Sequence, residues 1–227
     1  MIKVFNLLLI FFFLCTSKSF GHAQHYNKLK YLKYNLYLNN ELIGSHTFNF
    51  IKNKNILKVT GEGSFKISKF GVNIMNYHTA SEGHYNNNQL IKFSSKTEQN
   101  DKKKYVNIEF DKNNLVIDGS SFKGITENNS IISSWWNHEI VKATKQISSI
   151  SGRIIDQKVK FLGKKVIIIG DKSYETLNFH LYSDDNKPMN EKKLNIKIWY
   201  DVKTLMWIKA SYKKFGDWEY RISSVKF

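Results

Sequence analysis

Cysteine, proline and arginine are nearly absent from this chain: of 227 residues, one is cysteine, one proline and two arginine. A lone cysteine excludes a disulfide framework and a thiolate metal cluster. No window approaches the roughly 20 consecutive apolar residues of a helix that spans a bilayer. No Gly-x-Ser-x-Gly elbow occurs, so the most recognisable serine nucleophile is missing. Acidic residues are few, 19 against 35 Lys and Arg, and the formal net charge is +16. What is abundant is aromatic: 15% of residues, too many for wholesale disorder. The length suits one domain with a substantial core.

The N-terminus reads as a secretory signal peptide over residues 1–23. Lys3 supplies the positive start, and Val4–Leu14 is apolar except for Asn6. Gly21 and Ala23 occupy the positions a signal peptidase reads, which predicts cleavage after Ala23. Phe13 and Leu14 precede Cys15, where a lipoprotein needs small residues, so lipidation is not expected. Cleavage leaves 204 residues, no cysteine and a net charge of +14. The expected residence is the periplasm, with an extracellular destination as the alternative. Such a chain holds together by burial and strand pairing without a covalent staple.

From residue 24 to 227 the dominant signal is period-two alternation bounded by Asn, Gly, Lys and Asp. Leu32, Tyr34, Leu36 and Leu38 alternate with Tyr31, Lys33, Asn35 and Tyr37, and Asn39-Asn40 suits a tight hairpin because Asn tolerates positive φ. The same pattern recurs to Trp218–Val225. It predicts a single, mainly antiparallel all-β domain: one curved sheet or barrel of about ten to twelve strands. Near 137–147, Ile140, Val141, Ala143 and Ile147 fall close to helical spacing, with Asn137 as N-cap and Glu139 in the first turn. The expectation is one short helix covering an opening of the sheet, anchored by Trp136.

Several short motifs carry a family likeness. They are Tyr34-Asn35-Leu36-Tyr37 with Ile43-Gly44-Ser45-His46, Trp135-Trp136-Asn137, Gly152-Arg153, Trp199-Tyr200-Asp201 and Gly216-Asp217-Trp218-Glu219-Tyr220-Arg221. Together they resemble an uncharacterised family of exported bacterial proteins classed as a domain of unknown function, 6134-like and distantly similar to the 3108-like group. The resemblance spans nearly all of the chain after the leader. His138 stands where relatives often place proline. The resemblance implies an antiparallel β fold and periplasmic residence, and it supplies no catalytic residues.

Site chemistry is sparse. His138-Glu139 opens like a zinc-protease helix, but Lys142 occupies the second histidine position. His78, Glu82 and His84 share one strand parity, yet residues four apart lie about 13 Å apart in a strand, too far for one ion. His46 and His180 are third ligands only if the fold brings them near. An enzyme site would draw on His78, Glu82, His84 and Asp201. No catalytic residue, metal or cofactor is assigned.

The two arginines, Arg153 and Arg221, survive in a lysine-rich chain, and at least one of them is expected to make a fixed bidentate or stacked contact, with Asp201, Asp156 or Trp218 as candidate partners. These contacts are expected to be internal braces or anion sites. Lysine clusters such as Lys102-Lys103-Lys104 and Lys213-Lys214 fall mostly at turns, where they discourage edge-to-edge pairing. Scattered lysine and export argue against nucleic acid as a partner. The first functional expectation is a non-enzymatic binding or carrier protein for an apolar or lipid-like molecule, its cavity lined by Trp136, Ile140, Trp199 and Trp207. The alternative is an envelope structural or interaction protein whose basic surface contacts anionic lipid or polysaccharide.

Overall fold

The computed structural model describes residues 28–227; the signal-peptide expectation for 1–23 lies outside the described residues. Alternation becomes strand throughout. The first half holds β1 (Tyr31–Leu38), β2 (Glu41–Asn53), β3 (Ile56–Lys69), β4 (Val72–Asn86), β5 (Gln89–Gln99), β6 (Lys102–Asp111), β7 (Asn114–Gly119) and β8 (Lys123–Glu127). The second half holds β9 (Ile131–Ile132), β10 (Lys145–Ile147), β11 (Ile154–Ile169), β12 (Lys172–Ser183), β13 (Asn195–Asp201), β14 (Trp207–Lys213) and β15 (Asp217–Lys226). In β1 the even positions Leu32, Tyr34 and Leu36 are buried, as the alternation requires. Asn39-Asn40 and Asn87-Asn88 take positive φ in tight turns, a conformation that Asn accepts at small cost.

The strands form one sheet in the order β8-β7-β6-β5-β4-β3-β2-β1-β15-β14-β13-β12-β11-β10-β9. Each strand therefore lies beside its neighbours in the chain, and the last returns to the first: Leu32 faces Val225, and Leu38 faces Trp218. Among the described residues only β9 and β10 pair in parallel. The two ends of the sheet, β8 and β9, are joined by three residues, Asn128 to Ser130. Such a link spans at most about 14 Å, whereas fifteen strands laid flat would separate the ends by about 67 Å. The sheet must curl until its ends meet, and the result is barrel-like without a ladder between β8 and β9 among the described residues.

Two expectations need correction. The described residues form fifteen strands, not ten to twelve, partly because β9 and β10 are too short to alternate visibly. The expected helix over 137–147 shrinks to a single 3-10 turn, His138–Val141, and Lys145–Ile147 pairs with Ile154–Asp156 instead. The Asn137 side chain does accept from the Glu139 N–H, at 3.1 Å. Beyond that cap, β-branched Val141, Thr144 and Ile147 favour extended backbone. The ladder to β11 prevails there.

Residues 133–144 enter the ring as a plug, with Trp136 at 3%, His138 at 4% and Ile140 at 0% exposure. Polar contacts hold it. Gln157 Nε2 donates to the carbonyls of Ile140 (2.8 Å) and Ala143 (2.6 Å), and Gln146 Nε2 donates to Gln157 Oε1. Tyr200 Oη donates to the Trp135 carbonyl at 2.9 Å.

Candidate functional site

The structure places the expected cavity lining in solid core. Trp136 meets Phe50 and Tyr85 edge-on at 5.3 and 5.4 Å, and Trp207 stacks on Tyr34 at 3.8 Å. Ile140 has no exposed surface. These three side chains fill space rather than bound it. Trp199 stands on the opposite side of β13 from its core neighbours Ile198 and Tyr200, with Lys209 Nζ 5.5 Å above its ring. The four residues therefore do not line one cavity. Strand parity identifies inward side chains, but it does not tell a packed interior from a hollow one.

The arginines divide. Arg221 lies with its guanidinium 4.2 Å from the Tyr37 ring, and it donates to Glu219 through Nε and Nη2, both at 2.7 Å, and to Asn40 Oδ1. Its partners are Glu219, Asn40 and Tyr37, not Asp201, Asp156 or Trp218. Glu219 also pairs with Lys209 at 2.5 Å. Arg153 is exposed, and its guanidinium has no partner among the described residues. Asp201 Oδ1 accepts from the N–H groups of Lys203 and Thr204 and from the Thr204 hydroxyl, closing the turn after β13. It is a turn cap and holds no anion-binding arginine.

The histidines also separate. His84 Nε2 lies 2.7 Å from Glu82, whose other oxygen takes Lys58 at 2.6 Å. His78 faces Ser64 and Glu98 in the neighbouring strands, further along β4. His180 bonds Asn195 at 2.8 Å. His46 points inward, 4.3 Å from the Phe48 ring. Among the described residues no three His, Cys, Asp or Glu side chains converge.

A different constellation forms where β2, β3, β4, β14 and β15 bring inward side chains together above the plug. Phe65 stacks on Tyr77 (4.7 Å) and meets Trp218 edge-on (5.1 Å), and Trp218 lies parallel to Tyr212 at 5.6 Å. Trp135 from the plug closes the floor, 5.2 Å from Tyr220. These contacts cross the ring: β3 and β15 are separated by two strands in the sheet, so their side chains meet through the interior. On β3 the inward positions between Val59 and Phe65 are Gly61 and Gly63. A Cβ at Gly63 would meet Thr79 at 3.2 Å and His46 at 3.3 Å, so glycine there lets those side chains turn into the cup.

The electrostatics make this cup neutral. Burial pushes the His46 pKa down to about 4, so its imidazole is uncharged at neutral pH. Burial raises the Tyr220 phenol well above its usual value, and the nearby Tyr212 and Tyr77 hydroxyls add to the rise. Tyr212 is raised by burial and by Tyr77. Tyr77 is raised by burial and held back by hydrogen bonds with Thr79 and Thr97. Three protonated phenols thus sit near one another. His46, Phe65, Tyr77, Trp135, Tyr212 and Tyr220 also remain only half-buried in surface area. These inward side chains stand at an end of the ring that stays partly open to solvent. Deeper along the same face Tyr34, Phe48, Phe50 and Val59 are sealed, at 0 to 4% exposure.

None of these cup residues was singled out as lining from sequence. The signal was present in Gly61-x-Gly63, two glycines of inward parity in an otherwise well-formed strand. A second signal was the shared parity of Trp218 and Tyr220.

The fold is similar to that of a solved beta-barrel-like protein of domain of unknown function DUF1849 from Brucella abortus. The TM-score is 0.62 at 9% identity, covering 87% of this chain and 97% of that one. At this identity the likeness concerns the fold alone. No curated protein matches the chain. The family model described as Domain of unknown function (DUF6134) matches residues 34–223, from the fourth residue of β1 to the seventh of β15, and the chain belongs to that family.

Proposed function

We propose that this chain is an exported, non-enzymatic binding or carrier protein for an uncharged, apolar, lipid-like molecule held in the aromatic cup. The observation that carries the reading is a wall of inward aromatic side chains that are deep in the ring yet half-accessible, and that bear no charge at neutral pH. A charged ligand would lose its hydration there without gaining a partner. An apolar one gains burial, and the phenols of Tyr77, Tyr212 and Tyr220 supply donors to orient a single oxygen acceptor.

Titration with the neutral fluorescent probe phenylnaphthylamine tests this. Saturable one-to-one enhancement is expected for the wild type. A Gly63→Val chain, whose added methyl groups crowd Thr79 and His46, should take up much less probe. Native mass spectrometry of the gently purified protein should show a co-purified apolar adduct. Absence of both the adduct and saturable probe binding would overturn the reading.

A further inference from the structure

Two phenylalanines occupy positions that folding alone does not favour. Phe70, at the β3–β4 turn, is 94% exposed, and Phe215, at the β14–β15 turn, is 93% exposed. Both take positive φ, 52° and 56°, a backbone region that a bulky side chain adopts only under strain. Three other hairpin tips place Asn there, at Asn39-Asn40, Asn87-Asn88 and Asn100, and three place Lys54, Lys112 or Leu205; none of these is aromatic. Neither apolar burial nor turn geometry accounts for Phe at these two tips.

Their placement is coordinated. Leu36 faces Tyr220 on one side and Gly44 on the other, and Gly44 faces Phe65, so one register line crosses β15, β1, β2 and β3. Phe70 lies five residues beyond Phe65 on β3, and Phe215 lies five residues beyond Tyr220 on β15. The β1–β2 hairpin stands between the two tips in the sheet. Leu42, Val72 and Ile74 nearby are also exposed, at 58, 65 and 50%. Each Phe carries a lysine beside it: Lys69 Nζ is 5.5 Å from the Phe70 ring, and Lys214 Nζ is 6.0 Å from the Phe215 ring. Lys66 and Lys213 add to the positive charge. The acids at this end are Glu41, Glu98, Asp101 and Asp217, of which Glu98 pairs with Lys103 at 3.6 Å and Asp217 with Lys213 at 3.4 Å.

We infer that these hairpin tips form a docking surface for a lipid bilayer bearing anionic headgroups, with Phe70 and Phe215 inserted at the interface and Lys69 and Lys214 at headgroup level. The pairing of an exposed aromatic with an adjacent cation matches the layered chemistry of a bilayer surface, apolar below and anionic above. A second copy of this chain fits poorly, because it would bring the same lysines face to face. The inference adds a place of action to the binding function proposed above, and it stands whether or not the cup holds a ligand.

Vesicle sedimentation tests it with a chain starting at Gln24, which contains every described strand and lacks the apolar leader. The wild type should partition onto vesicles of mixed phosphatidylglycerol and phosphatidylcholine at low salt, and far less onto phosphatidylcholine alone. Loss of one inserted ring should weaken partition about tenfold, so Phe70→Asn with Phe215→Asn should weaken it about a hundredfold. Asn suits the positive φ at both tips, so the double variant should melt no lower than the wild type. Ile168→Asn, 76% exposed at the tip of the β11–β12 hairpin on the opposite end, should partition as wild type does. Phenylnaphthylamine uptake by the double variant should be unchanged, which separates this surface from the cup. Equal partition of the Phe double variant and the wild type would overturn the inference. So would failure of the wild type to bind anionic vesicles, or an equal loss from Ile168→Asn.

Discussion

Replacing Gln157 by Leu should destabilise the protein far more than the small change in volume suggests. The Gln157 side chain is 5% exposed and satisfies three buried groups: the Ile140 and Ala143 carbonyls of the plug and the Gln146 amide, itself 1% exposed. Leucine fills nearly the same space and restores none of these bonds. A stranded buried polar group costs about 1–3 kcal/mol. Three of them sharing one site are not additive, so the expected loss is about 3–5 kcal/mol. That is a large part of the 5–15 kcal/mol typical of a whole domain. Urea unfolding followed by tryptophan fluorescence should show a lower midpoint with an unchanged slope. The double variant Gln146→Leu/Gln157→Leu should cost less than the sum of the two singles, because it removes the stranded amide together with its acceptor. A loss below about 1 kcal/mol in Gln157→Leu would refute the idea that polar contacts, rather than the apolar faces of Trp136 and Ile140, pin the plug in place.

The arginines should respond differently to the same conservative change. Arg221→Lys removes the fork to Glu219 and the stack on Tyr37 and should lower stability by about 1 kcal/mol for this half-buried group. Exposed Arg153→Lys should stay within about 0.5 kcal/mol, and equal effects by thermal melting would contradict the contacts described. His46 should give an acid-side signature. Its pKa is about 4 in the fold against 6.5 for a free imidazole, so the unfolded chain binds more protons between those values. Its contribution is fully present above pH 6.5, declines as pH falls towards 4 and is gone below; the loss is at most about 3 kcal/mol. His46→Gln should lack that segment of the stability curve, and identical curves for variant and wild type would defeat the assignment.

Strand parity was the most legible property of this chain, because a side chain's face depends only on its own position and two neighbours. Leu32, Tyr34 and Leu36 went inward as read, and Asn39-Asn40 turned where Asn-Asn predicts. The helix over 137–147 was not legible. Ile140, Val141, Ala143 and Ile147 satisfy helical spacing, but their backbone is claimed by partners distant in sequence: Ile154–Asp156 through a ladder and Gln157 through its amide. Trp199 failed for a different reason. Parity itself puts it opposite Ile198 and Tyr200, under Lys209, so grouping it with inward-facing Trp207 set aside what the alternation reports. Arg221 was found as a fixed contact, yet its partners Glu219, Asn40 and Tyr37 depend on pairing between the two termini of the ring, which no local window contains.

The plug and the cup are two answers to one geometric problem. About eight strands close into a barrel whose interior side chains can just fill it, and larger rings leave a channel or need something inside. Fifteen strands exceed that limit, and protein interiors are close-packed. Part of the surplus volume is taken by residues 133–144, which bring Trp136, His138 and Ile140 into the ring. Another part is closed by side chains reaching across it, as Phe65 and Trp218 do. What remains lies above Trp135, where Gly61 and Gly63 leave room and the aromatic wall stays half-accessible. A segment that merely filled the ring would be expected to seal this end as it seals the other side of Trp207. Instead the plug stops at Trp135 and offers its ring as a floor, 5.4 Å from Trp207 below and 5.2 Å from Tyr220 above. The unfilled volume therefore follows from where the plug ends, and shortening Trp135 to Leu should enlarge the cup while leaving the Trp136 core intact. Probe capacity should rise in that variant; a fall accompanied by an unchanged melting temperature would mean that Trp135 itself makes the binding contact.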